Sequence, residues 1–250
     1  MQNYKEQLAS THPLFRIPST QIFWFEQVLE KTNNQSSQQR YLAIASPGIF
    51  LFDRRTFTKG LVINQIIPYS ELVLLRVDSQ STQFFKAKVT LSIQNCHHYE
   101  AAAIVIAIRN SLFGEKPRAT KILIDPQVQE EVNRYKFNFE SNFLLADRFL
   151  SLCLNLEEKT MNVDQISSIY TSLQHSKSKI QIDTNDLNSP YFIPLTLSIA
   201  YDGSIKSLVL KNVNFSTVAN SYASIVKYNS SLQNIYFTNV SFSGTIQPYL

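Results

Sequence analysis

A stretch near the end of the chain repeats itself, and a repeat constrains a fold strongly because units of equal length must pack as equals. Residues 203–216 (GSIKSLVLKNVNFS) return 27 positions later as residues 230–243 (SSLQNIYFTNVSFS). Ile205, Leu208, Leu210, Val213 and Phe215 map onto Leu232, Ile235, Phe237, Val240 and Phe242. An earlier copy lies 28 residues upstream, at Ile180, Ile182, Asn185 and Leu187, and a degenerate one is expected around Leu150, Leu152 and Leu154. The alternating aliphatics read as short strands. The segments between them, 163–173, 190–201 and 218–228, carry helical spacing.

This is the L-x-x-L-x-L-x-x-N-x-L spacing of leucine-rich repeats, with a β-branched residue where Asn is commonest. A period of 27 or 28 leaves room for one helix per turn, so the expectation is an α/β leucine-rich-repeat solenoid. Strand alternation then turns Gln181 and Asp183, Val209 and Lys211, and Tyr236 and Thr238 toward a concave face that would bind a protein partner. Tyr236 is the expected anchor. Such stacks need at least about three repeats and a terminal cap, and no cap is visible, so the solenoid is expected to continue beyond Leu250.

The first half reads differently. Strand patterns run over 21–29, 41–45, 49–52, 61–67, 71–77, 83–89 and 90–93, with a turn signal at Ser46-Pro47-Gly48. One helix follows, starting near Asn95 or Cys96, with Ala102, Val105, Ile106, Arg109 and Leu112 at helical spacing, a stop at Gly114 and Pro117 beyond. Strands closed at one end by such a helix describe a pleckstrin-homology-like barrel. The expected division is an N-terminal arm over 1–18, this barrel over 19–114, a connector over 115–146 and the repeats over 147–250. The aromatic-rich stretch 135–143 is expected to cap the first repeat.

The runs QRYLAIASPGIFLF (39–52) and IPYSEL (67–72), followed by the helix from His98, resemble the N-terminal pleckstrin-homology domain of the CARMIL family, the capping-protein regulators and myosin linkers. The order barrel, connector, repeats is similar to that family too. The resemblance implies a membrane-associated scaffold that regulates actin assembly, placed at the membrane by its first domain and binding proteins through its repeats. That family engages capping protein through a motif in a long C-terminal tail. Nothing similar occurs here, so capping protein is not expected to bind these residues. The competing expectation is a leucine-rich-repeat adaptor in signalling or recognition with no link to actin.

Charge favours an anionic partner. The net charge is +4, and the excess lies in residues 1–113, which hold eleven Lys/Arg against seven Asp/Glu. Lys31 and Arg40 flank the polar stretch 32–39, and Arg54, Arg55 and Lys59 follow in the next-but-one connection. These five are the candidates for contact with anionic phospholipid. The phosphoinositide-binding signature of a Lys followed by [Lys/Arg]-x-Arg is missing, because Tyr41 and Leu42 follow Arg40. The expectation is weak, salt-sensitive attraction of roughly 1 kcal/mol per basic residue.

Catalysis is not expected. The five glycines are scattered, so no loop can cradle a phosphate, and no nucleophile–base or zinc motif occurs. Cys96-His97-His98 is the only cluster of metal-capable residues. Adjacent side chains diverge on any regular element, so these read as polar residues at a helix start, with no metal, cofactor or nucleic acid expected. The start lacks a secretory signal, and the longest apolar run, 101–108, is well short of the roughly 20 residues that span a bilayer. With only two cysteines, the expected location is cytoplasmic, at the inner face of the plasma membrane or the cytoskeleton.

Overall fold

Alternation and tight turns build the first sheet. The computed structural model describes residues 2–31, 37–54, 60–87, 89–116, 119–139, 144–183, 190–212, 215–239 and 241. Strands β1 (Ile22–Lys31), β2 (Ser37–Ala45), β3 (Gly48–Arg54) and β4 (Leu61–Pro68) pair antiparallel in sequence order. β5 (Leu72–Val77), β6 (Thr82–Lys86) and β7 (Val89–Gln94) form a second meander, and β7 joins it to β1. The turn into β3 needs a glycine. A Cβ on Gly48 would lie 2.9 Å from the Ile67 carbonyl oxygen and 2.6 Å from Leu154 Cδ1, closer than side chains tolerate.

Helix α2 (His98–Phe113) lies against this sheet. Ala101 and Ala102 start its buried face and let it approach closely, and Val105, Ile108 and Leu112 continue it. The helix ends where Gly114 takes a positive φ of 55°. The buried Arg109 side chain turns to the same end and donates to the carbonyls of Gly114 (2.9 Å) and Lys116 (3.2 Å), satisfying acceptors there. Burial lowers its pKa to about 10, which leaves it charged. After α2 the chain returns as β8 (Lys121–Ile124), parallel to β5, and then forms the short helix α3 (Gln129–Arg134).

The first residues belong to this core. Helix α1 (Gln2–Ala9) leads into a 3-10 turn whose Leu14 and Phe15 are buried, with the Phe15 ring 4.6 Å from that of Phe50 on β3. His12 caps the turn: its Nδ1 accepts the Leu14 N–H at 3.2 Å.

The second sheet is parallel. It contains β9 (Lys179–Ile182), β10 (Ser207–Lys211) and β11 (Asn234–Thr238), with β10 in the centre. Helices α4 (Leu144–Cys153), α5 (Val163–His175), α6 (Phe192–Ala200) and α7 (Phe215–Tyr228) precede or connect these strands. Leu208 lies opposite Ile180 on one side and Ile235 on the other, so the sequence recurrence marks the three strands. Leu208 and Leu210 are buried with Ile180 and Ile182 on one face.

The two sheets share one core. A single cluster of buried side chains runs from Leu42 and Phe50 through α2 and α4 to Leu208. At the joint, the buried Arg148 of α4 donates to the Leu112 carbonyl at the end of α2. It also donates to the Ser198 carbonyl (3.3 Å) and to Asp202 Oδ2 (2.9 Å). Burial pushes the Asp202 carboxyl up, but hydrogen bonds from Ser204 and the Arg148 charge outweigh it and hold the carboxyl below its ordinary value.

These findings correct the expected architecture. There is no leucine-rich-repeat solenoid: three parallel strands form a small sheet and no further turn follows among the described residues. There is no separate pleckstrin-homology-like barrel either. The strands make one mixed eight-stranded sheet in the order β4-β3-β2-β1-β7-β6-β5-β8, and its last strand comes from the stretch read as a connector. The strand expected around Leu150 is helix α4, because Leu145, Phe149 and Leu152 bury at helical spacing. The aromatic stretch does not cap a repeat where it is described. Phe137 and Phe139 each pack 5.5 Å from Phe23 on β1. Among the described residues no helix is long and apolar enough to cross a membrane.

Candidate functional site

Parallel pairing sets the outer face of the small sheet, opposite Leu208 and Leu210. Val209 at its centre is in register with Gln181 on β9 and Tyr236 on β11. Lys211 pairs with Thr238 in the next row. Tyr236 is 51% exposed, and Gln181 and Thr238 are exposed as well. Lys179 Nζ lies 5.9 Å from the centre of the Tyr236 ring, so the β9 lysine spans β10 to reach a π-face on β11. Val209 is only 6% exposed, unlike the open concave position the repeat pattern implied. Just past β9, Asp183 accepts a hydrogen bond from Asn212 Nδ2 at 3.3 Å. The sheet thus gathers five of the six expected face residues on one surface with Lys179 beside them, while Asp183 stands at its rim.

The basic candidates fare differently. Lys31 closes β1 and Arg54 closes β3, at the same end of the large sheet because β2 runs antiparallel to both, and both are exposed. Arg40 sits within β2. Its guanidinium pairs with Glu30 (3.0 Å) and with Asp53, and it also donates to Gln38. Two carboxylates offset its charge, which removes it as a cation for lipid. Arg55 and Lys59 lie outside the described residues.

A third group was not legible in the sequence. Glu26 on β1, His97 at the start of α2 and Glu100 in the first turn of that helix place one ligand-capable atom each within 4.8 Å of the others. His97 Nδ1 lies 2.8 Å from Glu26 Oε1 and 3.0 Å from Oε2. Both carboxylates, and the backbone of His97, are held from outside the trio. Asn95 Nδ2 donates to Glu26 Oε2 (3.1 Å), and Asn95 Oδ1 accepts the His97 backbone N–H (2.8 Å). Trp24 Nε1 donates to Glu100 Oε2 at 3.3 Å. The hydrogen bond to Glu26, then its charge, raises the His97 pKa above the ordinary value, and Glu100 adds to this.

The neighbouring His98 points elsewhere, as divergence of adjacent side chains requires. It is buried against Thr82, whose hydroxyl lies 3.1 Å from Nδ1 and donates to the His98 carbonyl at 3.0 Å. Burial lowers its pKa. Glu100 follows in the first turn of α2, but Glu26 comes from β1, so no local motif could announce the full set.

Searches for related proteins return no family whose model matches the chain and no curated protein that matches it.

Proposed function

We propose that the protein is a non-enzymatic binding scaffold that recognises a protein partner through the outer face of its three-stranded sheet. The observation that carries this reading is Tyr236: a large aromatic half exposed in the middle of a regular strand, flanked by a lysine and polar residues. Burying such a side chain in a partner's surface removes apolar area from water and gives a rigid anchor, as Tyr does in interface hot spots. Lys179 and Lys211 bring two positive charges to the same face, while the Asp183 carboxylate is engaged by Asn212. The complementary partner is an acidic segment with an apolar side chain to place against Tyr236.

Lipid contact is secondary in this reading. Lys31 and Arg54 together supply about 2 kcal/mol near an anionic surface, too little to anchor the protein without another contact. The role in actin assembly that the CARMIL resemblance implies rests on residues 39–52, 67–72 and the helix from His98, and on an order of barrel, connector and repeats that the fold does not have. The adaptor reading needs only the sheet face.

The test compares immobilised wild-type chain with Tyr236→Ala and Lys211→Glu, scoring retained proteins by quantitative mass spectrometry. A defined set of proteins should fall at least tenfold on both variants while the folding transition stays unchanged. Retention that is the same on all three surfaces would remove the sheet face as the recognition site.

A further inference from the structure

We propose that Glu26, His97 and Glu100 bind one divalent transition-metal ion of the borderline class represented by Zn2+. Among the described residues no other three His, Cys, Asp or Glu side chains bring ligand atoms this close together. The donor set is mixed, one imidazole nitrogen and two carboxylates, which suits a borderline ion better than Ca2+ or Mg2+, whose sites are built from oxygen.

The spacing fits as well. Two ligand atoms about 2.1 Å from a tetrahedral ion lie about 3.4 Å apart. The imidazole and Glu26 are already 2.8–3.0 Å apart across a shared proton, so they need to open by only about half an ångström. Glu100 has to close somewhat, within the reach of a partly exposed side chain. On binding, the ion takes the place of the proton on Nδ1, which moves to Nε2 or leaves to water. Three protein ligands leave a fourth position for water or for a group from a bound molecule.

The supporting residues are those a metal site uses. Asn95 fixes both Glu26 and the backbone of His97, and Trp24 orients the Glu100 carboxylate. One effect opposes binding: the ion would sit at the N-terminus of α2, whose dipole disfavours a cation. Two carboxylates at ligand distance outweigh it, since full opposite charges in contact attract more strongly than the partial charge of a helix end repels.

Trp24 makes the proposal directly testable. It is the only tryptophan in the chain, and its indole N–H is bonded to one of the three ligands. Chain stripped with chelator is titrated with Co2+ while Trp24 fluorescence is followed, and Zn2+ is then added in competition. The expected result is saturable quenching that Zn2+ reverses. His97→Ala, Glu26→Gln and Glu100→Gln should each raise the Co2+ dissociation constant at least tenfold. Glu100→Gln keeps a carbonyl for the Trp24 bond, and unchanged far-UV circular dichroism in each variant ties the loss to the ligands. Cys96→Ser should bind like wild type. The proposal is overturned if millimolar Co2+ gives no saturable change, which would leave His97 and Glu26 as an ion pair only. It is also overturned if Cys96→Ser abolishes binding while the two glutamate variants retain it.

Discussion

The large sheet and the small one treat their surface charges in opposite ways. In the antiparallel strands, register sets unlike residues against one another: Arg40 of β2 meets Glu30 of β1 and Asp53 of β3. Elsewhere in the same sheet, Lys86 of β6 meets Glu71, in the turn before β5, at 2.7 Å. In the parallel sheet, the outer rows set Lys179 beside Ser207 and Asn234, Gln181 beside Val209 and Tyr236, and Lys211 beside Thr238. Neutral neighbours do not offset a lysine's charge. The antiparallel surface therefore closes on itself, whereas the parallel face keeps its lysines and its tyrosine for something else. A basic residue counted in a sequence means little until its register partners are known.

The comparison is most easily broken at the joint. Arg148→Ala removes three hydrogen bonds between α4, the end of α2 and the α6–β10 segment, and it leaves the buried Asp202 without its counter-charge. Breaking a buried pair in this way costs about 3–5 kcal/mol. Urea unfolding should show the midpoint falling accordingly, and a transition that splits in two would reveal sheets able to stand apart.

Acid should loosen the large sheet next. Burial, with Arg16 nearby, holds the His12 pKa down to about 4 from 6.5. The unfolded chain therefore binds a proton that the folded chain refuses, and stability falls as pH drops from 6.5 through 4. The full loss is about 3 kcal/mol. Protonation of Nδ1 would also set a hydrogen against the Leu14 N–H that it now accepts. His12→Asn keeps an acceptor for that N–H without titrating. Its pH–stability curve, measured by denaturant unfolding, should be flatter than wild type over this range, and identical curves would remove His12 as the cause.

Gly48→Ala comes third. The added methyl group meets the Ile67 carbonyl, a backbone atom that can yield only by shifting β4, at a cost of about 2 kcal/mol in a urea midpoint. Tyr236→Ala should have the smallest effect on folding, within about 0.5 kcal/mol, because an exposed side chain on an open face contributes little. A larger loss would mean that the small sheet depends on its outer face as much as the large one depends on its charge pairs.

What could be read from the sequence was what is local. The recurrence located three strands, but alternation chose the buried side only in β9: β10 buries Leu208, Val209 and Leu210 together, and Phe237 of β11 is 47% exposed. Gly114 marked the end of α2. The solenoid did not follow, because a repeat specifies how neighbouring strands align but not what the first strand packs against. Here the helices that precede the strands are tied to the end of α2 through the buried joint of Arg148. The run around Leu150 was misread for a related reason: Leu150, Leu152 and Leu154 alternate, but Leu145, Phe149 and Leu152 also satisfy a helix, and packing against α2 and α6 favours the helix. The third site was invisible for reasons of distance, since Glu26 and His97 lie 71 positions apart in the chain and meet only because β1 passes beside the start of α2.

The Arg148 fork has a consequence for anyone who would divide the molecule. Cleaving the chain after α2 would leave the first piece with an orphaned Leu112 carbonyl and the second with a guanidinium stripped of one acceptor, each facing water across a torn hydrophobic seam. Neither piece is complete alone, yet each carries the other's complement, so the two halves should find one another and reassemble when mixed.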